Sequence, residues 1–114
     1  MTKSLSKIST IYCPFPDKEK AFDVSRALLD KKLIACANVL NEGESLYLWE
    51  GKMKSDKEVY VIFKTSTEAT PTLVSELESL HPYEVPAIVV LETPCNLSYF
   101  NWVSEQIELA ARSS

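Results

Sequence analysis

Residues 81–86 read His81-Pro82-Tyr83-Glu84-Val85-Pro86, and this stretch determines how a helix is joined to a strand. Leu73 and Leu77 lie at helical spacing before it, and a proline disfavours helical geometry in the residue that it follows. We therefore expect the helix to end near His81 and a tight bend to lead into an apolar strand over 87–91. Because His81 is the only histidine and lies at this constrained bend, it is the first candidate for chemistry.

The chain on either side of this bend shows alternating strand and helix patterns. Thr70-Pro71 is typical of a helix start, with threonine as the cap and proline at the first helical position. Ser98 is the expected cap of a last helix, in which one face carries Phe100, Val103, Ile107 and Ala110. The expected strands cover 8–13 (ending at Pro14), 34–50, 58–65 and 87–91, and the expected helices cover 17–29, 70–81 and the segment after 98.

This order, β-α-β-β-α-β followed by a helix, predicts an α+β fold of the ferredoxin-like, split βαβ type. No segment resembles a linker, an internal repeat or a low-complexity tract, so we expect residues 1–114 to form one domain.

The segment 34–50 is too long for a compact domain of this size. Seventeen extended residues would span roughly 55 Å, whereas a domain of this length measures roughly 35 Å across. The segment either folds back at 41–44, where asparagine and glycine favour a turn, or it overhangs the rest of the domain. Apolar side chains on both faces, Leu46 and Leu48 against Tyr47 and Trp49, favour an overhang covered by another subunit.

Composition and charge exclude several classes of protein. Apolar residues make up 46% and charged residues 25% of the 114 residues, which is typical of a globular protein. The net charge of −4 and the lack of a basic cluster argue against nucleic acid and membrane partners. No apolar run approaches the roughly 20 residues of a membrane span, and Met1 to Lys7 lacks the apolar core of a signal peptide, so we expect a cytoplasmic protein. The three cysteines are odd in number and widely separated, which predicts free thiols.

Several motifs, in order along the chain, are similar to those of the CutA family of divalent-cation tolerance proteins. The resemblance runs from about Ile8 to about Ile107 and implies a ferredoxin-like fold related to PII signalling proteins. It also implies a tight homotrimer built through the long middle strands, and a role in tolerance of copper and other divalent metals. The motifs are Cys13 at the end of the first strand, residues 33–38, 47–52, 64–65 and 81–86, and the pair Tyr99 and Trp102.

The resemblance implies a metal site at Cys13 and His81. In the family, ligation is associated with a cysteine at the end of the first strand and a histidine pair before Pro-Tyr; here Leu80 replaces the first histidine. Ala87 stands where the family commonly has a glutamate. One thiolate and one imidazole suit copper or zinc, but a structural zinc site usually needs four such ligands, so we expect weak binding that is not required for folding. The alternatives are a small buried hydrophobe at Cys13 and a helix-end residue at His81.

A second candidate site is a cleft between subunits. Its lining would combine carboxylates, an ammonium group, an imidazole and aromatic walls, which is the usual composition of a small-ligand site. The alternative is that these aromatic side chains only pack an interface and that Lys64 and Glu50 form an ordinary ion pair. The cleft residues are Trp49, Glu50, Lys64, His81, Tyr83 and Glu84.

Catalysis is the weakest hypothesis. It would use Cys13 as nucleophile and His81 as base, oriented by Glu84 or Glu50. The sequence contains no glycine-rich phosphate loop, nucleophile elbow or paired-carboxylate motif, so we expect no enzymatic activity. The resemblance, together with these observations, implies a homotrimeric cytosolic protein of divalent metal (copper) response that binds metal weakly and acts as a sensor or adaptor. The alternative is a PII-like regulator that binds a small molecule or protein between subunits, with metal incidental.

Overall fold

The computed structural model describes residues 5–107, which fold into a four-stranded antiparallel sheet and three helices. The strand order across the sheet is β2-β3-β1-β4. The order along the chain confirms the predicted ferredoxin-like α+β fold with an additional C-terminal helix. Ala110, expected on the last helix, lies outside the described residues. The elements are β1 (Leu5–Phe15), α1 (Lys18–Asp30), β2 (Cys36–Trp49), β3 (Lys52–Thr65), α2 (Thr70–Leu80), β4 (Val89–Asn96) and α3 (Leu97–Gln106).

The core lies on the face of the sheet covered by α1 and α2. Alternate residues of β1 and β3 project into it and pair across the strands, for example Ile11 with Phe63 and Cys13 with Val61. All four of these side chains are fully buried. Helix α3 contacts β1, β3 and β4. None of the helices within residues 5–107 combines the length and apolar character needed to span a bilayer.

Two helix caps differ from the expected ones. Ala69, not Thr70, is the N-cap of α2, and the hydroxyl of Ser66 accepts a hydrogen bond from its backbone N–H at 3.1 Å. Asn96, not Ser98, is the N-cap of α3. Helix α1 is capped by the Asp17 carboxylate, which accepts a hydrogen bond from the Lys20 N–H at 2.8 Å. Pattern alone therefore located these helices to within a residue or two.

Strand β1 passes through Pro14, where it was expected to stop. The last pair between β1 and β4 is Tyr12 with Val89, whereas β1 and β3 remain paired to Phe15 with Val59. Pro14 thus lies where β1 has a neighbour on one side only, a position that tolerates a residue without an N–H. Strand β4 likewise begins at Val89, two residues later than expected, and continues to Asn96.

The long segment overhangs the sheet as one arm of a hairpin, as the apolar side chains on both of its faces favoured, and the alternative of a reversal at 41–44 is wrong. The chain reverses instead at Glu50 and Gly51, whose φ angles of 52° and 78° suit a two-residue hairpin turn. The stretch 41–44 contains a β-bulge, because the register shifts between Val39 and Glu42. Strand β3 accordingly begins at Lys52 rather than at Glu58.

The tip of this hairpin extends beyond the end of β1. Pairing of β1 with β3 ends at Val59, so the seven residues before it pair only with β2. The Cα positions span 51 × 33 × 23 Å as a result. The overhang predicted from the strand length is confirmed.

Candidate functional site

A groove with a volume of about 530 Å³ lies between the overhanging hairpin and the bend that follows α2. Three segments distant in sequence form it: the end of β1, the tip of the β2–β3 hairpin, and the residues between α2 and β4. Its lining combines aromatic rings, carboxylates and one ammonium group. The lining residues are Pro14, Ser45, Tyr47, Trp49, Lys54, Asp56, Glu58, Tyr83, Glu84, Val85 and Ala87.

The hairpin register places its groove residues on one face. Ser45 pairs with Asp56 and Tyr47 with Lys54, and directly paired residues project from the same side of a sheet. The Tyr47 hydroxyl donates a hydrogen bond to the Asp56 carboxylate. Each residue in between points to the opposite face, where Leu48 and Met53 are 74% and 78% exposed. The two faces of the overhang therefore differ in chemistry. The face towards the groove carries aromatic, hydroxyl and charged side chains, and the opposite face is apolar.

His81 anchors the bend to β1 and is not part of the groove lining. Its Nε2 lies 2.8 Å from the Pro14 carbonyl oxygen, and its Nδ1 lies 3.1 Å from the Tyr83 backbone nitrogen. Because a carbonyl accepts and a backbone N–H donates, the ring is the neutral tautomer with its proton on Nε2. The imidazole stacks on Phe15 with ring centroids 4.4 Å apart, and burial lowers its pKa.

Tyr83 joins the bend to the hairpin. Its hydroxyl donates a 2.7 Å hydrogen bond to Oε2 of Glu58, a residue that is only 9% exposed. Burial, followed by this hydrogen bond, raises the pKa of Tyr83, so the phenol remains a donor. His81 and Tyr83 together hold the bend against two different strands.

Cys13 is a buried thiol in the core. It is fully inaccessible, and burial together with the Glu58 charge raises its pKa to about 12. Its Sγ lies 3.9 Å from the Pro14 carbonyl oxygen. Cys36 and Cys95 are half-buried, and all three cysteines are free, as expected.

The structure brings only part of the expected cleft together. Trp49, Tyr83 and Glu84 line the groove. Glu50 lies in the hairpin turn beside it. Lys64 lies elsewhere on β3, where its Nζ is 5.8 Å from the centre of the Tyr99 ring. It does not line this groove.

Metal ligation by Cys13 and His81 stays a prediction. Both nitrogens of His81 already take part in hydrogen bonds, and the environment of Cys13 favours the thiol over the thiolate. Throughout residues 5–107, no three histidine, cysteine, aspartate or glutamate side chains come close enough together to hold a metal ion.

Sequence analysis missed the β3 side of the groove. Lys54, Asp56 and Glu58 line it, yet the strand was expected to begin only at Glu58. The available signal was the two-residue turn at Glu50-Gly51, because pairing outward from it places Lys54 opposite Tyr47.

A family model, sequence relatives and solved structures all match the chain to the same protein family. A model of the family described as CutA1 divalent ion tolerance protein matches residues 9–106. The divalent-cation tolerance protein CutA of Thermotoga maritima is 46% identical over 98 residues, covering 85% of this chain and 96% of the relative. The solved structure of the divalent ion tolerance protein CutA1 of Ehrlichia chaffeensis aligns with a TM-score of 0.86 at 34% identity, covering 93% of this chain and all of that one. CutA1 of Pyrococcus horikoshii aligns with a TM-score of 0.83 at 40% identity, over 88% of this chain and 98% of that one.

Proposed function

This chain belongs to the CutA1 family of divalent ion tolerance proteins, and from this membership we propose that it is a cytosolic homotrimer that binds a small ligand in its groove. It acts as a sensor or adaptor in the response to copper and other divalent metals, without enzymatic activity. The observation that carries the proposal is the groove itself, since about 530 Å³ lined by rings and a few polar groups is the usual form of a small-molecule site.

The trimer is supported by apolar surface on the overhang. Leu46, Leu48 and Met53 lie on one face of the hairpin and are 73%, 74% and 78% exposed. A contiguous exposed apolar patch of this kind marks an interaction surface in a water-soluble protein.

The absence of catalysis is supported by the state of Cys13. A nucleophilic cysteine needs a lowered pKa or a base within hydrogen-bond reach, whereas here burial raises the pKa of the thiol to about 12. His81, the expected base, has its free lone pair on Nδ1 engaged with the Tyr83 N–H. Neither group is prepared for acyl or group transfer.

A second candidate function is direct, weak metal binding through Cys13 and His81. It is favoured by the position of both residues next to the Pro14 carbonyl. Ligation requires His81 to release one hydrogen bond and Cys13 to lose its proton, which makes the binding weak and dependent on pH. Leu80→His would restore the histidine pair seen in the family and should raise the affinity.

Native mass spectrometry of the purified protein with metals and cell metabolites tests both candidates. Ligand binding predicts a trimer that retains a metabolite, with the adduct lost in Trp49→Ala and kept in Trp102→Ala, an exposed tryptophan outside the groove. Metal binding predicts a stoichiometric copper adduct that is lost in His81→Ala and strengthened in Leu80→His. A monomer without any adduct would contradict the proposal.

A further inference from the structure

We propose that the groove binds a small organic cation, whose ammonium or guanidinium group pairs with Glu58 and whose apolar part packs on Tyr47 and Trp49. The inference rests on the ligand-binding function proposed above and adds the chemical class of the ligand. Three features of the groove lead to it: a largely buried glutamate with one free, accessible oxygen, an excess of negative charge, and aromatic walls.

Glu58 is the first feature. Its side chain is nine-tenths buried, and it lines the groove. Oε2 accepts the Tyr83 hydroxyl, whereas Oε1 has no hydrogen-bond partner within residues 5–107. Within residues 5–107, the only side-chain ion pair with an N···O distance of 4.0 Å or less joins Lys31 and Glu76. No cationic side chain of the described residues therefore pairs with Glu58. Among residues 5–107, the buried side-chain oxygen without a partner is that of Ser25, so the free Oε1 of Glu58 is open to the groove, where a ligand that brings a positive charge can reach it.

The second feature is the charge of the lining. Asp56, Glu58 and Glu84 provide three carboxylates against the single ammonium group of Lys54, which leaves two formal negative charges. Tyr47 and Tyr83 orient two of these carboxylates by donating their hydroxyl protons to them. The groove therefore attracts cations and repels anions.

The third feature is the aromatic walls. The rings of Tyr47, Trp49 and Tyr83 line the groove, and tryptophan and tyrosine faces attract ammonium and guanidinium groups. Tyr47 and Trp49 are 38% and 39% exposed, so ring surface is available to a ligand. Rings beside a carboxylate favour a cation that carries apolar groups.

A bare metal ion fits this groove poorly. Oxygen-binding cations need about six ligands gathered around one point. Within residues 5–107 no three acidic, histidine or cysteine side chains converge in that way. An organic cation needs only one carboxylate for its charge and can use the rings for the rest of its surface.

The test is protein-observed NMR titration of the full chain with three probes of equal length: n-butylamine, n-butanol and butyrate. We expect butylammonium to shift the resonances of groove residues and to bind more tightly than butanol, with butyrate weakest. Glu58→Gln keeps an oxygen that can accept the Tyr83 hydroxyl but removes the charge. It should weaken butylammonium binding by about tenfold or more and leave butanol binding unchanged. Glu92→Gln, which removes an exposed carboxylate of β4 outside the groove, should bind butylammonium as the wild type does.

The outcomes separate this inference from the function on which it rests. Butyrate or butanol binding as tightly as butylammonium would overturn the chemical class and leave a ligand groove in place. No shift of groove residues with any probe would overturn the ligand-binding function itself. The inference would also be wrong if butylammonium does not bind the wild type and Glu58→Gln weakens subunit association. That combination would mean that Glu58 pairs with a cationic group of a neighbouring copy rather than with a ligand.

Discussion

At the scale of single residues, His81 joins segments that are far apart in the chain. Its ring donates to Pro14, accepts from Tyr83 and stacks on Phe15. Its position at the end of α2 could be predicted from the proline that follows it. Its partners could not, because the Pro14 carbonyl is 67 positions away in sequence and no local pattern reports a long-range hydrogen bond. The same holds for Glu58, whose burial depends on the bend reaching over the hairpin.

The first prediction concerns the pH dependence of stability. Burial lowers the pKa of folded His81 below its ordinary 6.5, so the unfolded chain takes up a proton at a higher pH than the folded protein does. Stability is therefore lost as the pH falls from 6.5 towards the lower, folded pKa. His81→Gln offers a donor and an acceptor without titrating. In urea unfolding at constant protein concentration, the wild type should lose more free energy of unfolding than this variant between about pH 7.5 and about pH 5.5. Parallel pH curves would contradict this account.

The second prediction concerns the reactivity of Cys13. A pKa of about 12 in place of 9.0 leaves about a thousandfold less thiolate at neutral pH. Iodoacetamide should therefore modify Cys13 at least that much more slowly in the folded protein than in denaturant, as measured by peptide mass spectrometry. Cys36, which is half-buried, serves as the internal control. Equal rates at Cys13 in both states would show that the fold does not suppress the reactivity of the thiol.

At the scale of elements, the periodicity of apolar residues was sufficient to predict the helices and the order of the strands along the chain. It failed at the hairpin for a physical reason. The first half of β3, from Lys52 to Lys57, is paired with β2 but has no core beneath it, so its side chains lack the alternation that identifies a half-buried strand. The turn has glutamate at its first position, where asparagine or glycine would have signalled a left-handed conformation.

The third prediction concerns the fit between β2 and β3 near the bulge. Gly43 lies against the Tyr60 ring, and a Cβ at this position would come within 3.0 Å of its Oη and 3.1 Å of its Cζ. Gly43→Ala should displace the ring, disturb its 3.0 Å hydrogen bond with Ser45, and lower the free energy of unfolding. A loss of about 1–3 kcal/mol is expected from overpacking. The measurement is denaturant unfolding.

A second substitution identifies the cause of that loss. Tyr60→Leu shortens the side chain, so adding Gly43→Ala to this variant should cost much less than it costs the wild type, as a double-mutant cycle would show. If Gly43→Ala costs the same in both backgrounds, the ring contact is not responsible.

At the scale of the whole molecule, the overhang could be predicted from strand length, but the groove could not. Length and spacing are properties of one segment, and the groove appears only when the β1 end, the hairpin tip and the bend are assembled. The residues predicted for the cleft from their side-chain type alone therefore lie in different parts of the molecule. Trp49, Tyr83 and Glu84 line the groove together, whereas Lys64 lies near Tyr99. Topology had to be known before side-chain chemistry could be read as a site.

The last prediction concerns assembly. Leu46 and Leu48 project from the face of the overhang opposite the groove and are 73% and 74% exposed, so their burial would contribute only when another copy covers them. In sedimentation equilibrium, the wild type should show three times the 12.8 kDa chain mass, and Leu46→Asn with Leu48→Asn should show the mass of one chain. Leu97→Asn, which changes an exposed leucine of α3, should remain trimeric. A wild-type monomer at micromolar concentration, or a trimer that survives both asparagines, would mean that the overhang is not the surface through which the copies associate.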